Sequence, residues 1–246
     1  MRTMFNLVLF DLDGTLVDTA PEIADTINDV LEACGHEHIC SHTIRNWIGH
    51  GARETMLRAW KHTTHASDEE IRGSAHLAHL MELFSESHHR HCGTRSQLFP
   101  GVVECLKGLQ KRCVATAMVT NKEERFVRQV LAVHRLTDYF DTVVAGDSFG
   151  FKKPDPATVQ HCLQVHGVEA RHTVLVGDSS VDAATARNAG IAFWAVPYGY
   201  NGGQPIADEK PDRILATLAE LPAAIGDCAP WARGTVHCRE TTEGKT

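Results

Sequence analysis

Five short apolar runs constrain this chain more than any other feature of its sequence. They cover Phe5 to Phe10, Val114 to Val119, Thr142 to Ala145, Thr173 to Val176 and Ile191 to Val196, and each gives way to a turn. Their hydrophobicity is continuous rather than alternating, the pattern of strands buried on both faces beneath covering helices. Helix-like stretches lie between them. Over Glu123 to His134, for example, Phe126, Val127, Val130 and Leu131 fall on one stripe. Repeated strand–turn–helix units predict an α/β fold with a doubly wound parallel sheet. Such sheets bind ligands at the C-terminal ends of their strands.

The second run does not follow the first at crossover distance. Roughly a hundred residues separate Asp13 from Thr120, where such connections usually take about 2–6. The intervening stretch reads as helix. Pro21 suits a first helical turn, Ile23, Ile27, Val30, Leu31 and Cys34 form a stripe, and Gly35 suits the stop. Arg53 to Lys61 and Asp68 to Ser87 are also helix-like. The expected organisation is an α/β core over residues 1–18 and 96–225, with an inserted helical cap over 19–95. Residues 226–246 form a polar, aperiodic tail to which no structure is assigned.

Charge and composition narrow the function classes. The 246 residues carry a formal net charge of −7, which disfavours nucleic acid and anionic membrane as partners. No apolar run approaches the roughly 18 residues that cross a bilayer. Leu7 to Phe10 is too short for a signal-peptide core before Asp11 interrupts it. The eight cysteines lack paired CxxC spacing, as in a reducing compartment, so a cytoplasmic protein is expected.

Four polar segments invite chemistry, and each also has a bland reading. In Asp11-Leu12-Asp13-Gly14-Thr15, residues two apart on a strand point the same way, so two carboxylates can share one site. An Asp-Gly turn is the plain alternative. In Val119-Thr120-Asn121-Lys122, Thr120 with Glu123, or Asn121 with Glu124, fits a helix capping box. A helix N-terminus at a strand end is also an anion site. Lys152-Lys153-Pro154-Asp155-Pro156 reads as a solvated turn or as a lysine that clamps a phosphoryl group. In Val176-Gly177-Asp178-Ser179-Ser180-Val181-Asp182, the acids suit a helix start. Beside Asp11 and Asp13, Asp178 would complete an oxygen cluster suited to Mg²⁺.

In this order the segments resemble the motifs of the haloacid dehalogenase-like phosphohydrolases. These are DxDGT, then Thr or Ser after an apolar strand, then Lys-Pro, then GDxxxD. The likeness spans about residues 5–225, and the helical insert lies where one branch carries its cap. Asp11 to Ile23 (DLDGTLVDTAPEI), Trp47 to Arg53 (WIGHGAR) and Tyr198 to Ile206 (YGYNGGQPI) most resemble the phosphoglycolate phosphatase branch. One departure is Lys152, where the family more often has Gly.

The resemblance implies a magnesium-dependent phosphatase acting through an aspartyl-phosphate intermediate on a small phosphorylated metabolite, 2-phosphoglycolate. Asp11 would be the nucleophile and Asp13 the general acid and base. Mg²⁺ would be held by Asp11, the Asp13 backbone carbonyl and Asp178, with Asp182 orienting its surroundings. Thr120, Asn121 and Lys153 would bind phosphoryl oxygens. Dehalogenases of the superfamily lack the second aspartate present here as Asp13. No lysine lies between Thr19 and Trp60 to act as a phosphonate hydrolase's would, and Ile23 stands where mutases carry histidine. The alternatives are a phosphatase for a phosphosugar or nucleoside monophosphate, or a catalytically silent phosphate-binding module.

Other residues read more quietly. Arg53 in the Gly49–Arg53 turn is a candidate substrate contact or simply a surface residue. His88-His89-Arg90-His91-Cys92 lacks the separated pairs of a zinc site and is expected to be a solvated helix end or hinge. Trp47 and Trp60 are expected to pack inside the cap.

Overall fold

The structure, a computed structural model, describes residues 4–65 and 75–225. Its centre is a six-stranded parallel sheet. The strands are β1 (Leu7–Phe10), β4 (Ala115–Val119), β5 (Thr142–Val144), β6 (Thr173–Gly177), β7 (Ala192–Ala195) and the short edge strand β8 (Arg213–Ile214). Five of them coincide with the apolar runs. The edge strand carries no such run, since Arg213 and Ile214 are both exposed. The spatial order is β5-β4-β1-β6-β7-β8, so β1 lies between β4 and β6 at the point where the connections reverse direction.

Alternation along β1 shows why its hydrophobicity is unbroken. Val8 and Phe10 enter the apolar cluster on one face, beneath α5 (Val102–Lys111) and α6 (Glu124–Val133). Leu7 and Leu9 enter the cluster on the other face, beneath α7 (Ala157–His166) and α8 (Ser180–Ala189). All four β1 side chains are completely buried. Successive side chains point to opposite faces, so a strand roofed on both sides must be apolar at every position.

The insert is helical. Its elements are α1 (Ala20–Ala33), α2 (Ser41–Arg45), α3 (Ala52–Thr64) and α4 (Ala75–His91). They enclose a separate apolar cluster containing Ile23, Ile27 and Leu31 of α1 with Leu57, Trp60, Leu80 and Phe84; Trp47 packs at its edge. The first part of the expected Asp68–Ser87 helix, and the tail after Ile225, lie outside the described residues. A two-stranded antiparallel ribbon, β2 (Val17–Asp18) with β3 (Gln97–Leu98), joins the chain where it leaves the sheet and where it returns. Two-residue strands leave no periodic trace in sequence. Among the described residues no helix is long and apolar enough to cross a membrane.

Tyr200, in the segment after β7, is the one residue outside the insert, among the described residues, that joins the insert's apolar cluster. Its hydroxyl accepts the backbone N–H groups of Thr19 (2.9 Å) and Ala20 (3.1 Å) and donates to the Asp18 carboxylate. The α1 N-cap, Thr19, makes no side-chain cap of its own because its hydroxyl donates to Asp13 at 2.7 Å. The phenol therefore satisfies N–H groups that a capping side chain would otherwise take. Arg45 stacks over the same ring at 4.7 Å and donates to the Tyr198 carbonyl at 3.0 Å. Tyr200→Phe strands those donors beside a buried ring, and should lower unfolding free energy by about 1–3 kcal/mol in urea titrations. A change within about 0.3 kcal/mol would show that water replaces the phenol there.

Candidate active site

Three neighbouring strands deliver the site. Phe10 of β1 is in register with Met118 of β4 and Val176 of β6, so Asp11, Thr120 and Asp178 emerge together at one edge of the sheet. The ladder still holds their backbones: the Asp11 N–H donates to the Val176 carbonyl (3.0 Å) and the Thr120 N–H to the Val144 carbonyl (2.9 Å). All three side chains are buried. These groups are pre-placed by rigid elements rather than by loops.

Lys153, from the turn before α7, reaches into this cluster with its side chain 2% exposed. Its ammonium is 2.7 Å from Asp11 Oδ1 and 2.7 Å from Asp182 Oδ1. Lys152 points outward, its Nζ 3.5 Å from the His50 carbonyl. Asp182 is held by a capping box at the start of α8. Its other oxygen accepts the N–H of Ser179 (3.1 Å), the Ser179 hydroxyl (2.6 Å) and the N–H of Asp178 (3.2 Å). Local helix chemistry thus fixes the lysine that faces Asp11.

Asp178 is equally constrained. Thr15 Oγ1 donates to its Oδ1 at 2.7 Å and the Tyr200 N–H to its Oδ2 at 2.6 Å. Glycine is required on both sides of it. A Cβ on Gly14, where φ is +92°, would come within 2.3 Å of Asp178 Oδ2, and one on Gly199 within 2.2 Å of the same atom.

The electrostatics leave this cluster short of positive charge. Burial pushes the Asp11 carboxyl up to about 7, opposed by Lys153 and reinforced by Asp182. Burial also raises Asp178 well above the carboxylate range, with Asp182 and Asp11 adding to the rise. Burial alone would depress Lys153, yet Asp11 and Asp182 together hold it above its ordinary value. Oxygens of Asp11, Asp178 and Asp182 lie within 4.8 Å of one another. One lysine among three buried carboxylates suits a further cation. Asp182 is already engaged by Lys153 and the capping box, which leaves Asp11 and Asp178 to receive it.

Asp13 stands beside this cluster. Its Oδ1 accepts the Thr19 hydroxyl and lies 3.3 Å from the ammonium of Lys122. Thr120 Oγ1 accepts the Lys122 N–H at 3.3 Å. The Asn121 amide donates to the carbonyls of Gly49 (3.2 Å) and Lys153 (3.1 Å), tying the insert to the lysine turn. The expected capping box is not formed at this segment. Helix α6 begins only at Glu124, Glu123 makes no side-chain cap, and the Glu124 N–H is taken by Asp147 at 2.7 Å. Thr120 and Asn121 therefore lie on the strand end and turn, before the helix.

The insert closes over these groups. Ile23, Ile48, Ala52 and Phe84 face Asp11, Asp13, Thr120 and Lys122 across a cavity of ≈ 50 Å³. Arg53 is exposed and is not part of its lining. The expectation of a solvated 88–91 segment fails at His88, which is 2% exposed and lines the cavity. The helical face of Leu77, Leu80 and Phe84 continues through it, so α4 turns it inward. Its Nδ1 is 2.9 Å from Thr26 Oγ1, and burial depresses its pKa to about 2, so the ring is neutral. Lys122 and Tyr200 also escaped the sequence reading, although both sit inside segments that it singled out.

Buried carboxylates and a buried lysine thus gather where the strands of a parallel α/β sheet end, an arrangement in keeping with a hydrolase. The chain belongs to the haloacid dehalogenase-like hydrolases, whose family model matches residues 8–196. It is 38% identical over 216 residues to phosphoglycolate phosphatase 1 of Pseudomonas aeruginosa, covering 87% of this chain and 78% of that protein. It is 37% identical over 218 residues to the phosphoglycolate phosphatase of Vibrio vulnificus, covering 87% and 93%. A crystal structure of a predicted phosphoglycolate phosphatase from Haemophilus somnus superposes with a TM-score of 0.82 at 30% identity, covering 90% of this chain and 98% of that one.

The raised carboxyls set a pH dependence. In the metal-free protein Asp11 holds its proton up to about pH 7, against an ordinary value of 3.8, and Asp178 shifts in the same direction. The stability they contribute is complete below the unfolded value and is lost as pH rises through the folded one. Under chelation, the melting midpoint should fall between about pH 5 and about pH 8 through these groups, and a divalent cation should restore it more at the upper end. A cation-induced shift equal at both pH values would contradict this assignment.

Proposed function

We propose that this chain is a magnesium-dependent phosphatase that hydrolyses 2-phosphoglycolate to glycolate and phosphate through an aspartyl-phosphate. The observation that carries the reading is Asp11: a buried carboxylate beside Lys153, with Asp13 two residues on, in a small capped cavity. A non-catalytic phosphate-binding module has no use for this pairing. The relatives called phosphoglycolate phosphatase support the substrate.

Asp11 bonds to phosphorus as the bond to the leaving oxygen breaks, and Asp13 delivers a proton to that oxygen. Water then attacks phosphorus, Asp13 recovers a proton from it, and the Asp11 carboxylate is released. Thr120 and Lys153 hold phosphoryl oxygens, where Lys153 trades part of its hold on Asp11 for the incoming dianion. Asn121 has its side-chain amide committed to Gly49 and Lys153, so its contribution is to join cap and core. Asp11, Asp178 and the Asp13 carbonyl would hold Mg²⁺, which supplies charge neutralisation for the phosphoryl group. On this reading residues 1–18 and 96–225 form the core and 19–95 the cap, in a cytoplasmic enzyme whose partner is a small metabolite.

Exhaustive chelation should abolish activity and Mg²⁺ should restore it. Across a panel of phosphate esters, kcat/KM for 2-phosphoglycolate should exceed that for hexose phosphates and nucleoside monophosphates. A hexose phosphate turned over as well would remove the substrate and keep the phosphatase.

The two carboxylates separate by role. Asp11→Asn should fall to background. Asp13→Asn should lose about 10²–10⁴-fold on alkyl phosphates, with Mg²⁺ affinity nearly kept. Near-wild-type turnover by Asp11→Asn, with deamidation excluded by mass, would mean the nucleophile lies elsewhere.

A further inference from the structure

Lys122 is a buried cation that the hydrolytic steps leave without a direct part. Its side chain is 6% exposed, and it is the one cation among the described residues lining the cavity. An ammonium has three N–H groups. Among the described residues only Asp13, at 3.3 Å, accepts a hydrogen bond from it. Glu22 on α1 is buried near enough to act on its charge, but Glu22 Oε2 accepts the Gly93 N–H at 2.8 Å and its Oε1 has no partner among the described residues. A buried ammonium with two N–H groups free at a cavity wall is a costly arrangement unless an anion completes it.

We propose that Lys122 binds a second anionic group of the substrate, the carboxylate that lies beyond the ester oxygen. The inference rests on the phosphatase reading above and names the residue that selects a phosphorylated acid. Other cations nearby are excluded by position or charge. Lys153 is held between Asp11 and Asp182, Lys152 lies against the His50 carbonyl, and Arg53 does not line the cavity. His88 is neutral, and Ile23, Ile48, Ala52 and Phe84 offer a carboxylate nothing.

The order of groups agrees with the chemistry. Asp11 takes phosphorus, Asp13 serves the leaving oxygen, and Lys122 lies beside Asp13. In 2-phosphoglycolate one methylene separates that oxygen from the carboxylate. A carboxylate on Lys122 therefore sets the leaving oxygen near the proton donor.

The test compares 2-phosphoglycolate with ethyl phosphate, which keeps an alkoxide leaving group and lacks the carboxylate. Lys122→Met should lower the ratio of their kcat/KM values by roughly 30-fold or more, mainly through KM for 2-phosphoglycolate, and Lys122→Arg should restore part of it. Because Lys122 also touches Asp13, a second readout avoids turnover. Wild type should be inhibited more tightly by 3-phosphonopropionate than by ethylphosphonate, and Lys122→Met should lose that preference. If Lys122→Met does not fold, Lys122→Gln carries both comparisons. A ratio and an inhibitor preference that both survive substitution overturn the inference while leaving the phosphoglycolate reading intact. A wild type that does not prefer 2-phosphoglycolate to ethyl phosphate overturns both.

Discussion

The contact on which the site depends is that of Lys153 with Asp11 and Asp182, both at 2.7 Å and all three groups buried. Charges withdrawn from water must meet opposite charge at short range or neutralise themselves. The three residues come from different places: the end of β1, the turn before α7 and the first turn of α8. Bringing them together therefore requires the parallel register of β1 with β6 and the capping box that anchors Asp182. Glycines 14 and 199 follow from the same demand, because Asp178 is packed where any Cβ would displace its carboxylate.

A second dependence runs across the junction between sheet and helices. Tyr200 donates its backbone N–H to Asp178 while its hydroxyl accepts the first N–H groups of α1. Asn121 joins the Gly49 carbonyl to that of Lys153. The groups that hold the roof in place are thus bonded to, or adjacent to, the buried carboxylates and lysine of the candidate site. A displacement of the roof would be felt at Asp178 and at the Lys153 turn through single hydrogen bonds rather than through long chains of contacts.

Legibility in the sequence followed from physics of short range. The central strands were readable because burial on both faces forces unbroken apolar runs, as in Leu7 to Phe10. Asp11 and Thr120 were readable because each directly follows such a run, and Asp178 because it follows one after a single glycine. The ribbon of β2 and β3 and the edge strand β8 were not, being two residues long with no repeating pattern. The capping box expected at Thr120 does not form because the acceptor for the Glu124 N–H comes from Asp147, remote in sequence. His88 was misread because a run of histidines looks solvated, whereas its depth depends on how α4 packs against α1 and Phe126. Lys122 and Tyr200 act through partners 109 and 181 positions away, which no local pattern encodes.

The acidic character of the chain sharpens the role of the roof. A surface with a formal net charge of −7 repels an anionic ester at long range, so attraction must come from charges inside the cavity. On the proposed reading Lys122, on the cavity wall, and Lys153, beside Asp11, supply it, and both remain cations because carboxylates beside them outweigh the effect of burial. The apolar wall of Ile23, Ile48, Ala52 and Phe84 strengthens that attraction by excluding water from around the Lys122 ammonium. The neutral ring of His88 adds depth without adding charge. On that reading, discrimination between substrates rests on where a ligand carries its negative groups, since the walls contribute shape and Lys122 is the one cation among the described residues lining the cavity, with Lys153 beside it at Asp11.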